Sequence, residues 1–156
     1  MRMSDFVVRD AILPELTSST KEAVIREIVS SLHAAGQFKG GDIEDVVRAI
    51  QKRESLGSTG IGRGVAIPHT KHAGVERLVA SIAVSRTGVD FNSLDGEKVY
   101  VFVLLISPLD RPGDHLRALE NVSRCLRDDA FVRSLRQAAS RDVIWGLIED
   151  ADRLPA

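Results

Sequence analysis

The stretch Val99-Tyr100-Val101-Phe102-Val103-Leu104-Leu105-Ile106 decides the fold. An apolar run without polar alternation describes a strand buried on both faces, which requires helices on both sides of a sheet. It is too short to cross a bilayer as a helix. Upstream, Leu78-Val79-Ala80-Ser81-Ile82-Ala83-Val84 reads as a second strand of the same kind. Residues 90–96 between them are rich in turn formers, and Ser107-Pro108 ends the later strand.

Helical patterns flank these strands. On the amino-terminal side, Ser19-Thr20-Lys21-Glu22 has capping-box spacing, and Ile25, Ile28, Val29 and Leu32 follow at i, i+3, i+4 and i+7 until Gly36 stops the pattern. Asp42, after Gly40-Gly41, is expected to cap a second helix in which Ile43, Val46, Val47 and Ile50 repeat the stripe up to about Gly57. On the other side, Pro112-Gly113-Asp114 opens a helix with Leu116, Leu119, Val122 and Leu126 on one face. Asp129 and Ser140 are expected to cap two more. Residues 6–13 form a strand candidate with little contrast in their alternation. The expectation is an α/β fold: a single-domain sandwich, residues 1–156, whose mixed β-sheet is covered by helices on both faces.

Composition sets the outer bounds. The 156 residues, 44% hydrophobic and 28% charged, suit one ordinary core. Lys and Arg number 21 against 22 acidic residues, for a formal net charge of -1, so no whole-molecule field favours nucleic acid or anionic lipid. One cysteine cannot form an internal disulfide, and Met1-Arg2-Met3-Ser4-Asp5 lacks the apolar run of a secretory signal. A cytoplasmic protein without nucleic-acid partners or direct membrane insertion is expected.

Between the early helices and the strands lies Gly57-Ser58-Thr59-Gly60-Ile61-Gly62-Arg63-Gly64-Val65-Ala66-Ile67-Pro68-His69. Residues 57–64 read as loop, residues 65–67 as a short extended piece, and Pro68 keeps its predecessor out of helical geometry. Nucleotide-binding readings fail at specific positions. Gly57 and Gly62 have P-loop spacing, but Arg63 and Gly64 stand where Lys and then Ser or Thr are required. A dinucleotide fingerprint would need glycine at Val65. What remains is glycine-rich backbone leading to His69. Imidazole is substantially neutral near pH 7, attacks through either ring nitrogen, and leaves readily once phosphorylated, so His69 is read as a phosphoryl-carrying nucleophile.

The combination Arg53-Glu54, Thr59-Gly60-Ile61-Gly62 and Gly64-Val65-Ala66-Ile67-Pro68-His69 resembles the active-site signature of enzyme IIA components of the bacterial phosphoenolpyruvate-dependent phosphotransferase system, of the fructose, mannitol and nitrogen-regulatory type. Asp114-His115-Leu116-Arg117-Ala118-Leu119 resembles that family's second histidine motif. The resemblance implies that His69 accepts a phosphoryl group from a phosphohistidine on a small carrier protein of the HPr or NPr type, with His115 beside it. It places Arg53 at the family's arginine position, in contact with phosphate or bracing the loop, and Glu54 holding Arg53 or the loop. Thr59, Gly60, Gly62 and Gly64 are the expected phosphoryl-binding positions, and no metal or other cofactor is expected. The onward partner is a regulatory target protein or a separate EIIB. With no fused IIB or membrane segment in the sequence, a nitrogen-regulatory switch is the first expectation and a sugar-transport relay the second.

Other polar residues carry weaker readings. Arg63 and Lys71 could steer an anionic partner or serve as ordinary surface charges. His72 together with His69 and either Asp114 or His115 forms a poorly spaced metal candidate. His33 is read as a helix-dipole or packing residue and Cys125 as a buried, inert thiol.

Overall fold

The computed structural model describes residues 1–39 and 43–154, so the proposed Asp42 cap lies outside the described residues. A short helix α1 (Met3–Phe6) and a 3-10 turn (Arg9–Ala11) lead into α2 (Lys21–Ala34) and α3 (Ile43–Ser55). Strands β1 (Gly60–Gly62), β2 (Val65–Ala66), β3 (His69–Lys71), β4 (Val79–Val89) and β5 (Val99–Ser107) follow, and then α4 (Pro112–Leu126), α5 (Asp129–Gln137) and α6 (Arg141–Asp152).

The sheet is mixed and centres on β5. One edge of β5 pairs antiparallel with β4. Along its other edge β5 pairs in parallel first with β2 (Val65↔Val101) and then with β3 (His69↔Leu105), and β1 lies antiparallel outside β2. The pleat of β5 sends Val101, Val103 and Leu105 into a core with α1, α4, α5 and α6 and sends Phe102, Leu104 and Ile106 toward α2 and α3, where Val99 also packs because the β4–β5 register shifts at that end. All seven of these side chains are fully buried, as the uninterrupted apolar run requires.

Several local expectations shift. Residues 6–13 are not a strand: only Val7 and Leu13 bridge to β4, at Ala80 and Ala83, with the 3-10 turn between them. The segment thereby covers an edge of β4 that would otherwise offer unpaired amides and carbonyls. Residues 60–62, expected as loop, form β1, because β2 supplies a partner that compensates for glycine's poor strand propensity. Thr20 rather than Ser19 caps α2, accepting from the Ala23 amide, so Glu22 is one place early for a reciprocal box. Asp128 rather than Asp129 caps α5, whereas Ser140 caps α6 as expected. The α4 stripe is also rotated by one position. His115, Ala118, Val122 and Leu126 face inward, and Leu116 is exposed.

A paired-histidine candidate active site

The site is built on a break in a strand. Val65–Ala66 and His69–Lys71 both pair with β5, but between them Pro68 has no amide to offer the ladder. The Pro68 carbonyl still accepts from the Leu105 amide at 2.9 Å, and the Ile67 amide turns the other way to the Thr59 carbonyl at 3.1 Å. The Ile67 carbonyl accepts instead from His69 Nδ1 at 2.7 Å. A carbonyl oxygen can only accept, so Nδ1 carries the proton and the lone pair lies on Nε2. Burial lowers the His69 pKa below the ordinary histidine value; the Ile67 bond opposes that shift and the Arg53 charge adds to it. The half-buried ring is therefore neutral at pH 7 with one nitrogen available for attack.

His115 comes from the first turn of α4 and faces His69 with ring centroids 5.5 Å apart and planes inclined by 55°. Its Nδ1 lies 2.5 Å from the Ser107 hydroxyl at the end of β5. Only 8% of the residue is exposed. Its pKa is pushed down to about 4, by burial first and then by the neighbouring His69 and Lys71.

Arg53, in the last turn of α3, donates from Nη1 to the Gly57 carbonyl at 3.0 Å and so braces the loop. A guanidinium has five N–H donors, so this bond leaves others to meet an anion, and its charge already acts on the His69 ring. Glu54 does not hold Arg53. Its buried carboxylate accepts from the Thr59 amide at 3.2 Å, from the Thr59 hydroxyl and from Lys21 Nζ at 2.9 Å. Lys21 also donates to the Phe91 carbonyl at 3.3 Å and stands 4.6 Å over that ring.

The structure therefore gathers His69, His115 and Arg53, but it does not assemble a glycine cradle. Both donors of Thr59 point at Glu54, and the Gly60 amide donates to the Ser58 hydroxyl at 3.0 Å. Gly62 and Gly64 belong to the β1–β2 hairpin, where their φ angles of 97° and 79° fit a tight turn. Val65 and His69 pair with β5 residues four apart, so the Gly62–Gly64 turn lies roughly 13 Å or more up the strand from the histidine.

The remaining candidates have structural partners. Arg63, itself at φ 57°, donates to the Leu126 and Arg127 carbonyls at 3.1 and 3.3 Å and pairs with Asp129, joining the hairpin to the α4–α5 junction. His72 uses both ring nitrogens: Nδ1 accepts from the Gly74 amide at 2.8 Å and Nε2 bonds Asp45 at 2.7 Å. Neither is left for a metal, and no group of three or more candidate ligands gathers among the described residues. His33 packs against Phe38, and burial raises the pKa of the half-buried Cys125 thiol.

Sequence reasoning did not find Ser107, the Ile67 carbonyl or Lys21. Ser107 closes an apolar run before proline and looked only like a strand terminator. A backbone carbonyl leaves no mark in the sequence.

A mixed sheet with helices on both faces, carrying two facing histidines at a broken strand, defines a small α/β protein with a histidine-centred site. The pattern described as "Phosphoenolpyruvate-dependent sugar phosphotransferase system, EIIA 2" matches residues 5–151, and the chain belongs to that family of phosphotransfer domains. A nitrogen regulatory protein of Bradyrhizobium diazoefficiens is 33% identical over 148 residues, covering 95% of each chain. The fructose-specific EIIABC component of Bacillus subtilis is 34% identical over 153 residues, 98% of this chain but 24% of that protein. Among solved structures, nitrogen regulatory protein IIA-Ntr from Neisseria meningitidis superposes with a TM-score of 0.84 at 27% identity, covering 92% of this chain and 97% of that one. Mannitol IIA from Escherichia coli shares the fold, with a TM-score of 0.75 at 20% identity, covering 90% and 97%. No helix among the described residues is long and apolar enough to cross a membrane.

Proposed function

We propose that this chain is a cytoplasmic, single-domain phosphocarrier in which His69 Nε2 accepts a phosphoryl group from a phosphohistidine carrier protein of the HPr or NPr type. The observation that carries this reading is the Ile67 carbonyl on His69 Nδ1, which leaves the nucleophilic lone pair on the other nitrogen of a neutral ring. In the transfer the Nε2 lone pair forms the new P–N bond while the donor's P–N bond breaks and its electron pair returns to the donor imidazole. The phosphorylated His69 ring carries substituents on both nitrogens, and the Ile67 carbonyl stabilises the positive charge that develops there. Arg53 and His115 take up charge from the equatorial oxygens, so transfer depends on alignment and preorganised donors and needs no metal.

The attached phosphoryl group itself carries about -1.5 to -2 charges near neutral pH, partly offset by the positive ring that bears it. Leu109 and Leu116, near His115 in the chain, and Leu56, three residues after Arg53, are exposed apolar side chains. Placing that charge among apolar side chains changes which protein surface can dock, the physical basis of a regulatory switch. Full-length similarity to nitrogen regulatory proteins supports the switch. Similarity to a fructose-specific component supports the second reading, a relay that hands the phosphoryl group to a separate EIIB.

Incubation with phosphoenolpyruvate, enzyme I and a phosphocarrier is expected to place acid-labile, base-stable phosphate on the protein, and His69→Ala is expected to abolish it. Label that survives the substitution removes the assignment. A regulatory protein retained by only one phosphorylation state supports the switch, and transfer of label to an EIIB supports the relay.

A further inference from the structure

The Ser107 hydroxyl has one hydrogen-bond partner among the described residues, Nδ1 of His115. Ser107 is fully buried at the last position of β5. Its carbonyl is taken by the His72 amide at 2.9 Å, and it pairs in register with Lys71. A buried hydroxyl proton needs an acceptor, and the ring nitrogen is the one within reach. The O–H therefore donates and Nδ1 accepts. A neutral imidazole carries a single N–H, so the His115 proton sits on Nε2, on the ring edge away from Ser107. The two facing histidines consequently hold opposite tautomers: a lone pair on Nε2 of His69 and a hydrogen on Nε2 of His115.

We propose that Ser107 is a positioning residue that locks His115 in its Nε2–H tautomer, so that the ring offers a hydrogen-bond donor to an oxygen of the phosphoryl group on His69. This rests on the reading of His69 as the acceptor. In the other tautomer His115 would turn a lone pair toward phosphoryl oxygens and repel them. A neutral donor also suits a group that must leave again, because a charge-assisted bond from an imidazolium is roughly twice as strong and would hold the phosphoryl group back.

The test uses nitrogen-15 NMR of the imidazole rings near pH 7, together with the rate of phosphoryl uptake from a phosphorylated HPr-type carrier. The unmodified protein is expected to show His115 with an unprotonated Nδ1 and a protonated Nε2. Ser107→Ala is expected to mix the tautomers and slow transfer on the order of tenfold at unchanged carrier affinity, less than the loss of a preorganised donor outright. Ser107→Thr, which keeps the hydroxyl, is expected to restore both. A protonated Nδ1 on His115 in the unmodified protein overturns the proposal, and that measurement needs no variant to fold. Either signal moving without the other in Ser107→Ala also overturns it. Failure to label His69 at all would sink the phosphocarrier reading instead, while the tautomer measurement still judged Ser107.

Discussion

At the residue scale a buried carboxylate braces the loop that leads to the site. Glu54 is 6% exposed, and it joins the end of α3 to the Thr59 backbone and to Lys21 at the start of α2. A charged acceptor serving a buried amide and an ammonium is worth more than a neutral pair, because each donor it leaves behind would stay desolvated. Glu54→Gln is expected to cost about 1–3 kcal/mol, seen as a lower urea midpoint at unchanged m-value. The same substitution should slow labelling of His69, because Arg53 and Thr59 hang from the two ends of the segment that Glu54 ties down. An unchanged urea midpoint would show that the Lys21–Glu54–Thr59 cluster contributes nothing to the fold.

At the scale of elements, the deciding feature is a strand split in two. At the break the Ile67 carbonyl accepts from His69, and the Thr59 carbonyl just before β1 accepts from the Ile67 amide. Gly60 lets β1 approach: a Cβ there would fall 2.3 Å from the Ser93 hydroxyl oxygen and 3.1 Å from the Ser93 Cα. The hydroxyl can rotate away, but the backbone carbon cannot. Gly60→Ala is therefore expected to destabilise by about 1–3 kcal/mol, measured by chemical denaturation, with His69 still able to take label at a reduced rate. The split was partly legible, because proline after an extended tripeptide marks a boundary. The β1 pairing was not, since four glycines in eight residues look the same whether they hang free or pair with a neighbour. Helix α4 shows a similar limit. Leu116, Leu119, Val122 and Leu126 make a plausible stripe, yet the buried face begins at His115, because a histidine bonded to Ser107 can occupy a core position that sequence patterning reserves for leucine.

For the whole molecule, the buried histidines link stability to pH. His115 has a folded pKa of about 4 against 6.5 for the free side chain, so between these values the unfolded chain binds more protons than the native one. Stability from this group is complete above pH 6.5 and falls as pH drops toward 4; His69, shifted in the same direction, adds to the loss. Urea midpoints measured at pH 7 and pH 4.5 are expected to differ less for His115→Asn than for the unmodified protein. An equal pH dependence in the two would show that His115 is protonated in the native state. The same shift keeps His69 neutral in mildly acidic solution, where an ordinary histidine would already be charged.

The chain by itself determined the buried central strand, most of the helices around it and the two histidines, because apolar periodicity, capping residues and short motifs are local properties. Tertiary structure alone decided which nitrogen of His69 is free, that Ser107 faces His115, and that the Gly62–Gly64 turn lies away from the site. Those outcomes depend on which edges of the sheet meet. A hydrogen bond has a direction as well as a partner, and both are set only when the fold brings the two groups within about 3 Å of one another.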